Sequence, residues 1–276
     1  MSFDFPAVDP HSLARPRVMG ILNVTPDSFS DGGRFLHVEK AIEHVLQLVA
    51  DGADIIDVGG ESTRPGARPV TAVEEIDRVV PVIESIRQVS QIPVSIDTSK
   101  PEVMRAAAVA GATMINDVRA LTCDGAMVAA ADLQLPVCLM HMQGQPDSMQ
   151  RNPNYSDVVE EVRTFLVDRA QACMNNGIPR DRIIIDPGFG FGKSVQHNIE
   201  LLRHLDSLVD TGFAVLAGLS RKSMIGAILD DPKRDRLAGS VTLALYAMRQ
   251  GVHIVRVHDV AETVDALRIE AAVAGG

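Results

Sequence analysis

Polar and ionisable side chains stand directly after short apolar segments at eight places in this sequence. Carboxylate and amide oxygens accept hydrogen bonds, whereas lysine and arginine donate them, so together such residues could hold a polar ligand. One polar residue after a strand is commonplace, but eight such positions favour a shared site. They are Asn23, Asp57, Asp97, Asn116 with Asp117, His141, Asp186, Ser220 to Lys222, and Arg256 with His258.

Three of these residues, Asp97, Asn116 and Asp186, offer oxygen acceptors that match the N–H donors of a ring bearing amide or guanidine groups. Lys222 could donate to the acceptors of the same ring. These residue types therefore predict a flat, polar heterocycle as one ligand.

Cations are few in this chain, which has 26 Lys and Arg against 36 Asp and Glu and a net charge of -10. This balance disfavours binding to nucleic acid or to an anionic membrane surface. The cations Arg64, Arg221, Lys222, Arg256 and His258 nevertheless all lie in predicted strand-end regions. Arg256 and His258 are two residues apart, so on a strand they share one side. We therefore expect two cationic donors there and a phosphorylated ligand.

Two further segments predict ligand contacts. Helical sequence follows Ser220, so we expect a helix to begin there, with its first N–H groups available to an anion. The sequence DPGFGFGK at 186–193 fits neither the Walker nor the dinucleotide pattern. Its glycines would instead let Phe189 or Phe191 lie flat against a planar ligand. Phe29, in the loop 23–33, could also cover a ligand.

The elements that carry these residues alternate along the chain. Apolar segments rich in Val and Ile, without polar alternation, are typical of parallel strands buried on both faces. Eight strand–helix units in about 250 residues predict a (β/α)8 TIM barrel, with a doubly wound open sheet as the alternative. The predicted strands are 18–22, 55–58, 94–96, 113–115, 136–140, 183–185, 214–216 and 254–257, and the predicted helices are 38–50, 72–89, 101–109, 124–133, 155–174, 195–209, 237–249 and 261–272.

Length and composition limit the number of domains, the compartment and the kinds of site that the chain could have. The 276 residues suit one α/β domain, and we expect an N-terminal extension over 1–15 and a barrel over 16–276. The sequence shows neither an apolar secretory segment at its start nor a run that could span a membrane. The spacing of Cys123, Cys138 and Cys173 disfavours a disulfide framework or a structural zinc site, and it indicates a reducing cytoplasm.

Six motifs closely resemble those of the dihydropteroate synthases, the folate-pathway enzymes of the pterin-binding family. The resemblance extends from about Val18 to the last predicted helix. The motifs are MGILNVTPDSFSDGG (19–33), DVGGESTRPG (57–66), IDTSK (96–100), DPGFGFGK (186–193), SRKS (220–223) and RVHD (256–259).

The resemblance implies an enzyme that joins 4-aminobenzoate to (7,8-dihydropterin-6-yl)methyl diphosphate, with Mg2+ assisting. The products would be 7,8-dihydropteroate and diphosphate, and the enzyme would usually be a homodimer. Carried over position by position, the pterin would contact Asp97, Asn116, Met140, Asp186, Phe191 and Lys222; the diphosphate would contact Asn23, Arg64, Arg256 and His258, with Asn23 also at the metal; and 4-aminobenzoate would contact Phe29, Thr63, Pro65 and Ser220, where sulfonamides compete.

The same resemblance implies the catalytic residues Asp97, Lys222, Arg256 and His258. Arg256 and His258 would stabilise the departing diphosphate, and Asp97 would stabilise positive charge on the pterin, in a dissociative substitution. Two alternatives stay open: a pterin-binding methyltransferase that works with a corrinoid partner, and a binding protein that has lost turnover. The SRKS segment and the Asn23 loop disfavour the first, because a methyltransferase has no need of them.

Overall fold

Eight parallel strands close into a barrel in the computed structural model of the chain, which describes residues 15–25, 34–62, 68–144, 149 and 153–274. Each strand pairs with the next in sequence, and β1 also pairs with β8, so the sheet has no free edge. The predicted barrel is confirmed, and the open-sheet alternative is wrong. The strands are β1 (Arg17–Asn23), β2 (Ile55–Gly59), β3 (Val94–Asp97), β4 (Met114–Asp117), β5 (Val137–Met140), β6 (Ile183–Asp186), β7 (Ala214–Ala217) and β8 (Ile254–Val257).

The described residues also form ten α-helices. All of them except α8 contribute apolar residues to one continuous core with the outward side chains of the strands. None of these described helices combines the length and the apolar character that crossing a bilayer requires. The helices are α1 (Arg34–Ala50), α2 (Ala72–Val89), α3 (Pro101–Ala110), α4 (Ala126–Leu133), α5 (Val158–Asn175), α6 (Val195–Arg203), α7 (Asp206–Val209), α8 (Ser223–Ile228), α9 (Leu237–Arg249) and α10 (Val260–Ala274).

Local sequence signals explain where several helices begin. Thr71 and Glu74 form a reciprocal capping box at the start of α2, and Pro101 occupies the first turn of α3. Asp157 caps α5 by accepting hydrogen bonds from the backbone N–H groups of Val159 and Glu160. α5 therefore begins at Val158, three residues later than predicted.

Other predicted helix boundaries also differ from the structure. α1 begins at Arg34 rather than at residue 38. The segment predicted as one helix over 195–209 is two helices, α6 and α7, because the chain leaves helical geometry at His204. The helix expected to begin at Ser220 is α8, which begins at Ser223 with Lys222 at its N-cap. Ser220 therefore lies outside that helix.

A second apolar cluster fills the interior of the barrel and takes residues from seven of the eight strands. Successive side chains on a strand point to opposite faces, so the residue two positions further along points inward as well. On β2 this step leads from Ile55 to Asp57, on β6 from Ile184 to Asp186, and on β8 from Ile254 to Arg256. Polar residues thus form a layer directly above an apolar floor. The floor consists of Met19, Ile55, Met114, Cys138, Ile184, Leu216 and Ile254.

Candidate active site

Arg256 lies at the centre of the polar layer and joins three strands. Its Nε donates to Asp57 Oδ2 at 2.6 Å, and its terminal nitrogen donates to Asp97 Oδ2 at 2.9 Å. Asn116 Nδ2 also donates to Asp57 Oδ2, at 3.2 Å. Side chains 199 and 159 residues apart in sequence therefore meet at one point.

Asp57 was predicted among the eight strand-end positions but was assigned no particular contact. It is the carboxylate that holds both Arg256 and Asn116. Its side chain is fully buried, and its Oδ1 has no hydrogen-bond partner among the described residues. Its position two residues after Ile55, which belongs to the barrel floor, explains why it points into the mouth.

Asp97 and Asp186 are acceptors in an environment that disfavours their charge. Burial raises the pKa of Asp97 from 3.8 to about 7, and Arg256 partly opposes this shift. Burial also raises the pKa of Asp186, while the backbone N–H of Gly188, which donates to its Oδ1 at 2.7 Å, acts in the opposite direction. Both carboxyls would be stabilised in their ionised form by a ligand that brings N–H donors.

Lys222 reaches from the N-cap of α8 over the ring of Phe191, with Nζ 4.4 Å from the ring centroid. Burial lowers the pKa of Lys222 to about 8, although Asp186 opposes the shift. Met140 ends β5 in register with Asp186 and is buried. Asp186, Lys222 and Phe191 thus surround one space at the barrel mouth.

Phe189 does not lie in that space. It is 1% exposed and belongs to the core between the strands and the helices, so of the two predicted aromatics only Phe191 is placed to contact a ligand.

His258 is not the cation expected from the sequence. Burial, together with the charges of Arg256 and Arg221, lowers the pKa of His258 to about 4, so the imidazole is neutral at pH 7. Ser220 Oγ accepts from the backbone N–H of His258 at 3.2 Å and lies 3.1 Å from its Nδ1. We infer that the hydroxyl donates to Nδ1, which leaves the ring proton on Nε2 as a donor.

The two described arginines of the predicted cation cluster are paired with carboxylates. Arg221 is exposed and pairs with Asp259, its Nε donating to Oδ2 at 3.0 Å. Arg256 pairs with Asp57 and Asp97. The arginines are therefore balanced by carboxylates that the sequence alone did not assign to them.

Asp117 and His141, which also follow strands, have structural partners. Asp117 is buried and accepts from the backbone N–H groups of Arg119 and Leu121 at 2.8 Å each, which fixes the turn after β4. The His141 ring packs edge-on against Phe165 of α5, with 5.0 Å between ring centroids.

The remaining predicted site residues fall into two groups. Asn23 is the last residue of β1. A Cβ atom built on Gly59 would lie 3.9 Å from Asn23 Oδ1 and 3.8 Å from Asp97 Oδ2. Gly59 thus leaves open the space between these two side chains. The other group lies outside the described residues and consists of Phe29, Thr63, Arg64 and Pro65.

Comparison with known proteins gives a consistent result. The sequence profile of a family described as pterin binding enzyme matches residues 19–258. The chain is 53% identical over 257 residues to a protein named dihydropteroate synthase from Haemophilus influenzae, covering 93% of this chain and 94% of that protein.

Two solved structures show the same fold. A dihydropteroate synthase from Xanthomonas albilineans with 4-aminobenzoic acid superimposes with a TM-score of 0.89 at 54% identity, covering 95% of this chain and 94% of that one. A structure from the same organism in complex with 7,8-dihydropteroate gives a TM-score of 0.86 at 52% identity, covering 95% of both chains. In the first structure this fold binds the small aromatic acid, and in the second it binds the condensed pterin.

Proposed function

The chain belongs to the pterin-binding enzyme family, and from this premise we propose how its barrel mouth carries out the dihydropteroate synthase reaction. That reaction joins 4-aminobenzoate to (7,8-dihydropterin-6-yl)methyl diphosphate and releases diphosphate. The observation that carries the proposal is the layer of Asp97, Asn116, Asp186 and Lys222 above an apolar floor, with Arg256 at its centre.

We assign the pterin to the space at the barrel mouth bordered by five side chains: Asp97, Asn116, Asp186, Phe191 and Lys222. A pterin presents N–H donors along one edge, and the carboxylate of Asp186 and the amide oxygen of Asn116 accept from such donors. Lys222 donates to ring acceptors, and the ring of Phe191 offers a flat apolar face. Met140 completes the buried side of this space.

Arg256 and His258 would bind the departing diphosphate. Arg256 is already in the mouth, and its fork of donors suits phosphate oxygens. The neutral His258 would donate through Nε2, since Ser220 occupies Nδ1. Arg64, outside the described residues, is assigned to the diphosphate from the family resemblance.

Asn23 fits the magnesium ion that the family implies. Mg2+ typically takes one or two protein oxygens together with substrate phosphates and waters. Asn23 supplies one amide oxygen beside the space left by Gly59, and the described residues contain no group of three or more His, Cys, Asp or Glu side chains that could form an all-protein cage. When bound there, Mg2+ would neutralise charge on the diphosphate.

Ser220 is assigned to the carboxylate of 4-aminobenzoate, with Phe29, Thr63 and Pro65 bordering the same pocket. The support for Ser220 is its place at the mouth beside His258. Because its one O–H donates to His258 Nδ1 in the free enzyme, that donor would turn to the carboxylate when 4-aminobenzoate binds. The other three assignments rest on the family resemblance.

The proposed chemical step is a dissociative substitution: the C–O bond breaks, its electron pair leaves with diphosphate, and the aniline nitrogen then forms a C–N bond to the methylene carbon. The nitrogen is neutral at pH 7 and needs no prior deprotonation, and the proton it loses after the C–N bond forms passes to the departing diphosphate or to water. Breaking the C–O bond is therefore the difficult event. Arg256 stabilises the negative charge that leaves, and the ionised Asp97 stabilises the positive charge that develops on the pterin. Because Arg256 contacts Asp97 in the free enzyme, binding of diphosphate would redirect its donors.

A homodimer is proposed from an apolar surface on three neighbouring helices. α8 packs against α9 through Ile225 and Gly239, and α9 packs against α10. Each helix carries an exposed apolar side chain: Ile228 of α8 is 52% exposed, Tyr246 of α9 is 36% exposed and Ile269 of α10 is 66% exposed. Light scattering of the purified chain tests the dimer. We expect the mass of a dimer for the unsubstituted chain and the mass of a monomer for Ile269→Glu. A monomeric unsubstituted chain would contradict the proposal.

The setting proposed for this enzyme is the cytoplasm, and the proposed barrel domain is 16–276. Cys123, Cys138 and Cys173 are free thiols in the structure, which suits a reducing compartment.

The function is tested by incubating the purified chain with both substrates and Mg2+ and detecting 7,8-dihydropteroate by mass spectrometry. We expect a product that requires 4-aminobenzoate. Tight pterin binding without product would indicate a binding protein, and methyl transfer to or from a corrinoid would indicate the methyltransferase.

A further inference from the structure

Lys193 is a buried lysine that none of the assignments above uses. It follows the glycine-rich loop after β6 and is 2% exposed. Its Nζ donates to the backbone carbonyls of Gly188 and Phe191 at 3.0 Å each, and to that of His141 at 3.3 Å. It also lies 2.9 Å from His141 Nδ1. Burial lowers the pKa of Lys193 to about 7, although Asp186 opposes the shift. The contacts themselves show that the amino group connects the glycine-rich loop to the backbone after β5.

The glycine-rich loop that Lys193 contacts is packed closely against the neighbouring backbone. Gly188 and Gly192 have φ of 66° and 62°, values that L side chains rarely adopt. A Cβ on Gly188 would lie 2.0 Å from the carbonyl oxygen of His141, and one on Gly192 would lie 2.3 Å from that of Gln143. The loop therefore presses directly against the backbone after β5.

Two groups assigned to the pterin depend on the atoms that Lys193 holds. The N–H of Gly188 donates to Asp186 Oδ1 at 2.7 Å, so Gly188 orients that carboxylate. The N–H of Phe191 donates to the carbonyl of Gly188 at 3.0 Å, and the Phe191 ring lies under Lys222. The Lys193 amino group thus contacts the backbone of Gly188, which orients the Asp186 carboxylate, and the backbone of Phe191, which supplies the aromatic face.

Two neighbours support the same loop. Asn198 on α6 accepts from the N–H of Gly190 at 2.7 Å and donates to the carbonyl of Lys193 at 3.3 Å. Tyr155 donates to the carbonyl of Gly192 at 2.8 Å. Lys193 differs from both because its Nζ bonds to the loop and also to the backbone carbonyl of His141, which follows β5.

We propose that Lys193 is a positioning residue for the pterin subsite, which it preorganises by fixing Gly188 and Phe191. This inference rests on the proposed function, because it concerns residues assigned to the pterin. It differs from a general structural role in one respect: loss of Lys193 should weaken pterin binding selectively. None of the hydrogen bonds described for Lys193 reaches Ser220, the described residue assigned to 4-aminobenzoate, so binding of 4-aminobenzoate should change little.

The test substitutes Lys193→Met, which keeps the length of the side chain and removes its donors. The matched control is Arg169→Met, because Arg169 also donates to two loop carbonyls, those of Ala120 and Leu121, but on a loop with no assigned ligand residue. Calorimetry with the dihydropterin diphosphate gives the pterin Kd, and steady-state assays at saturating pterin give the KM for 4-aminobenzoate.

For Lys193→Met we expect the pterin Kd to rise by about tenfold or more, since several hydrogen bonds that preorganise the subsite are lost. The KM for 4-aminobenzoate should change by less than about threefold, and Arg169→Met should leave the pterin Kd within about twofold. An unchanged pterin Kd in Lys193→Met overturns the proposal, as does an equal loss for both substrates.

Tyr155→Phe keeps the proposal testable if Lys193→Met does not fold. It removes only the hydrogen bond to Gly192, and a pterin Kd about two- to fourfold weaker is expected. A wild-type Kd in this variant would then count as refutation. An unsubstituted chain that binds no dihydropterin diphosphate overturns the proposed function together with this inference, whereas normal turnover with an unaffected Lys193→Met overturns this inference alone.

Discussion

Replacing Asp97 by asparagine removes one negative charge from the barrel mouth while keeping the size of the side chain and one oxygen acceptor. The carboxylate lies 2.9 Å from Arg256 and borders the space assigned to the pterin. In the proposed mechanism it faces positive charge only while the C–O bond breaks. The substitution should therefore affect the transition state more than the bound pterin.

The magnitude follows from Coulomb's law. Two unit charges 4 Å apart interact by about 4 kcal/mol at an effective dielectric constant near 20. The developing charge is partial and Arg256 offsets some of the carboxylate's field, so roughly half, about 2–3 kcal/mol, should be lost. This corresponds to a decrease in kcat of roughly 30- to 150-fold. Pterin binding loses only the charge-assisted part of one hydrogen bond, which amounts to less than about tenfold in Kd.

The assay measures kcat by diphosphate release and the pterin Kd by calorimetry on the same preparation. Asp132→Asn is the control, because it neutralises another carboxylate paired with an arginine, Arg105, with both side chains about half exposed. It should keep kcat within about threefold, as surface ion pairs usually contribute little. Equal losses in kcat and pterin affinity for Asp97→Asn, or no loss in kcat, would refute the assigned role.

Three further predictions follow from the same geometry. The pH profile of kcat/KM should rise as Asp97 loses its proton near pH 7 and fall as Lys222 loses its proton near pH 8, giving a narrow bell; a flat profile from pH 6 to 9 would contradict both roles. Arg256→Met should lower kcat by about a thousandfold, because it removes a donor to the leaving group and leaves two buried carboxylates unpaired; steady-state kinetics check this, and near-normal kcat would rule out the role. Gly188→Ala should lower the unfolding free energy by about 3 kcal/mol, because its Cβ would lie 2.0 Å from the His141 carbonyl; thermal unfolding should show Tm about 6–12 °C lower, and an unchanged Tm would contradict the packing.

The barrel itself was predictable from the sequence because its signals are local. Strands that are buried on both faces are rich in Val and Ile, so they can be recognised in the sequence. In a barrel, the last residues of all the strands lie at the same mouth. The break between α6 and α7 was missed because apolar spacing continues across His204, where the backbone turns. The start of α8 was missed by three residues because Ser220, a good N-cap type, has another partner in His258.

Charge states and long-range pairings at the site were not predictable in the same way. A histidine two residues after an arginine suggests two cations, but burial beside Arg256 and Arg221 makes His258 neutral. Asp57 and Lys193 carry contacts that depend on residues far away in sequence or on the folding of a tight loop. No spacing rule gives such contacts, although the inward step from Ile55 places Asp57 in the mouth.

The central claim is tested most directly by measuring diphosphate release from dihydropterin diphosphate with and without 4-aminobenzoate, in the presence of Mg2+. We expect rapid diphosphate release that requires 4-aminobenzoate, yields 7,8-dihydropteroate in equal amount and is blocked by a sulfonamide. Release at the same rate without 4-aminobenzoate, or no release from a chain that binds the pterin tightly, would contradict it.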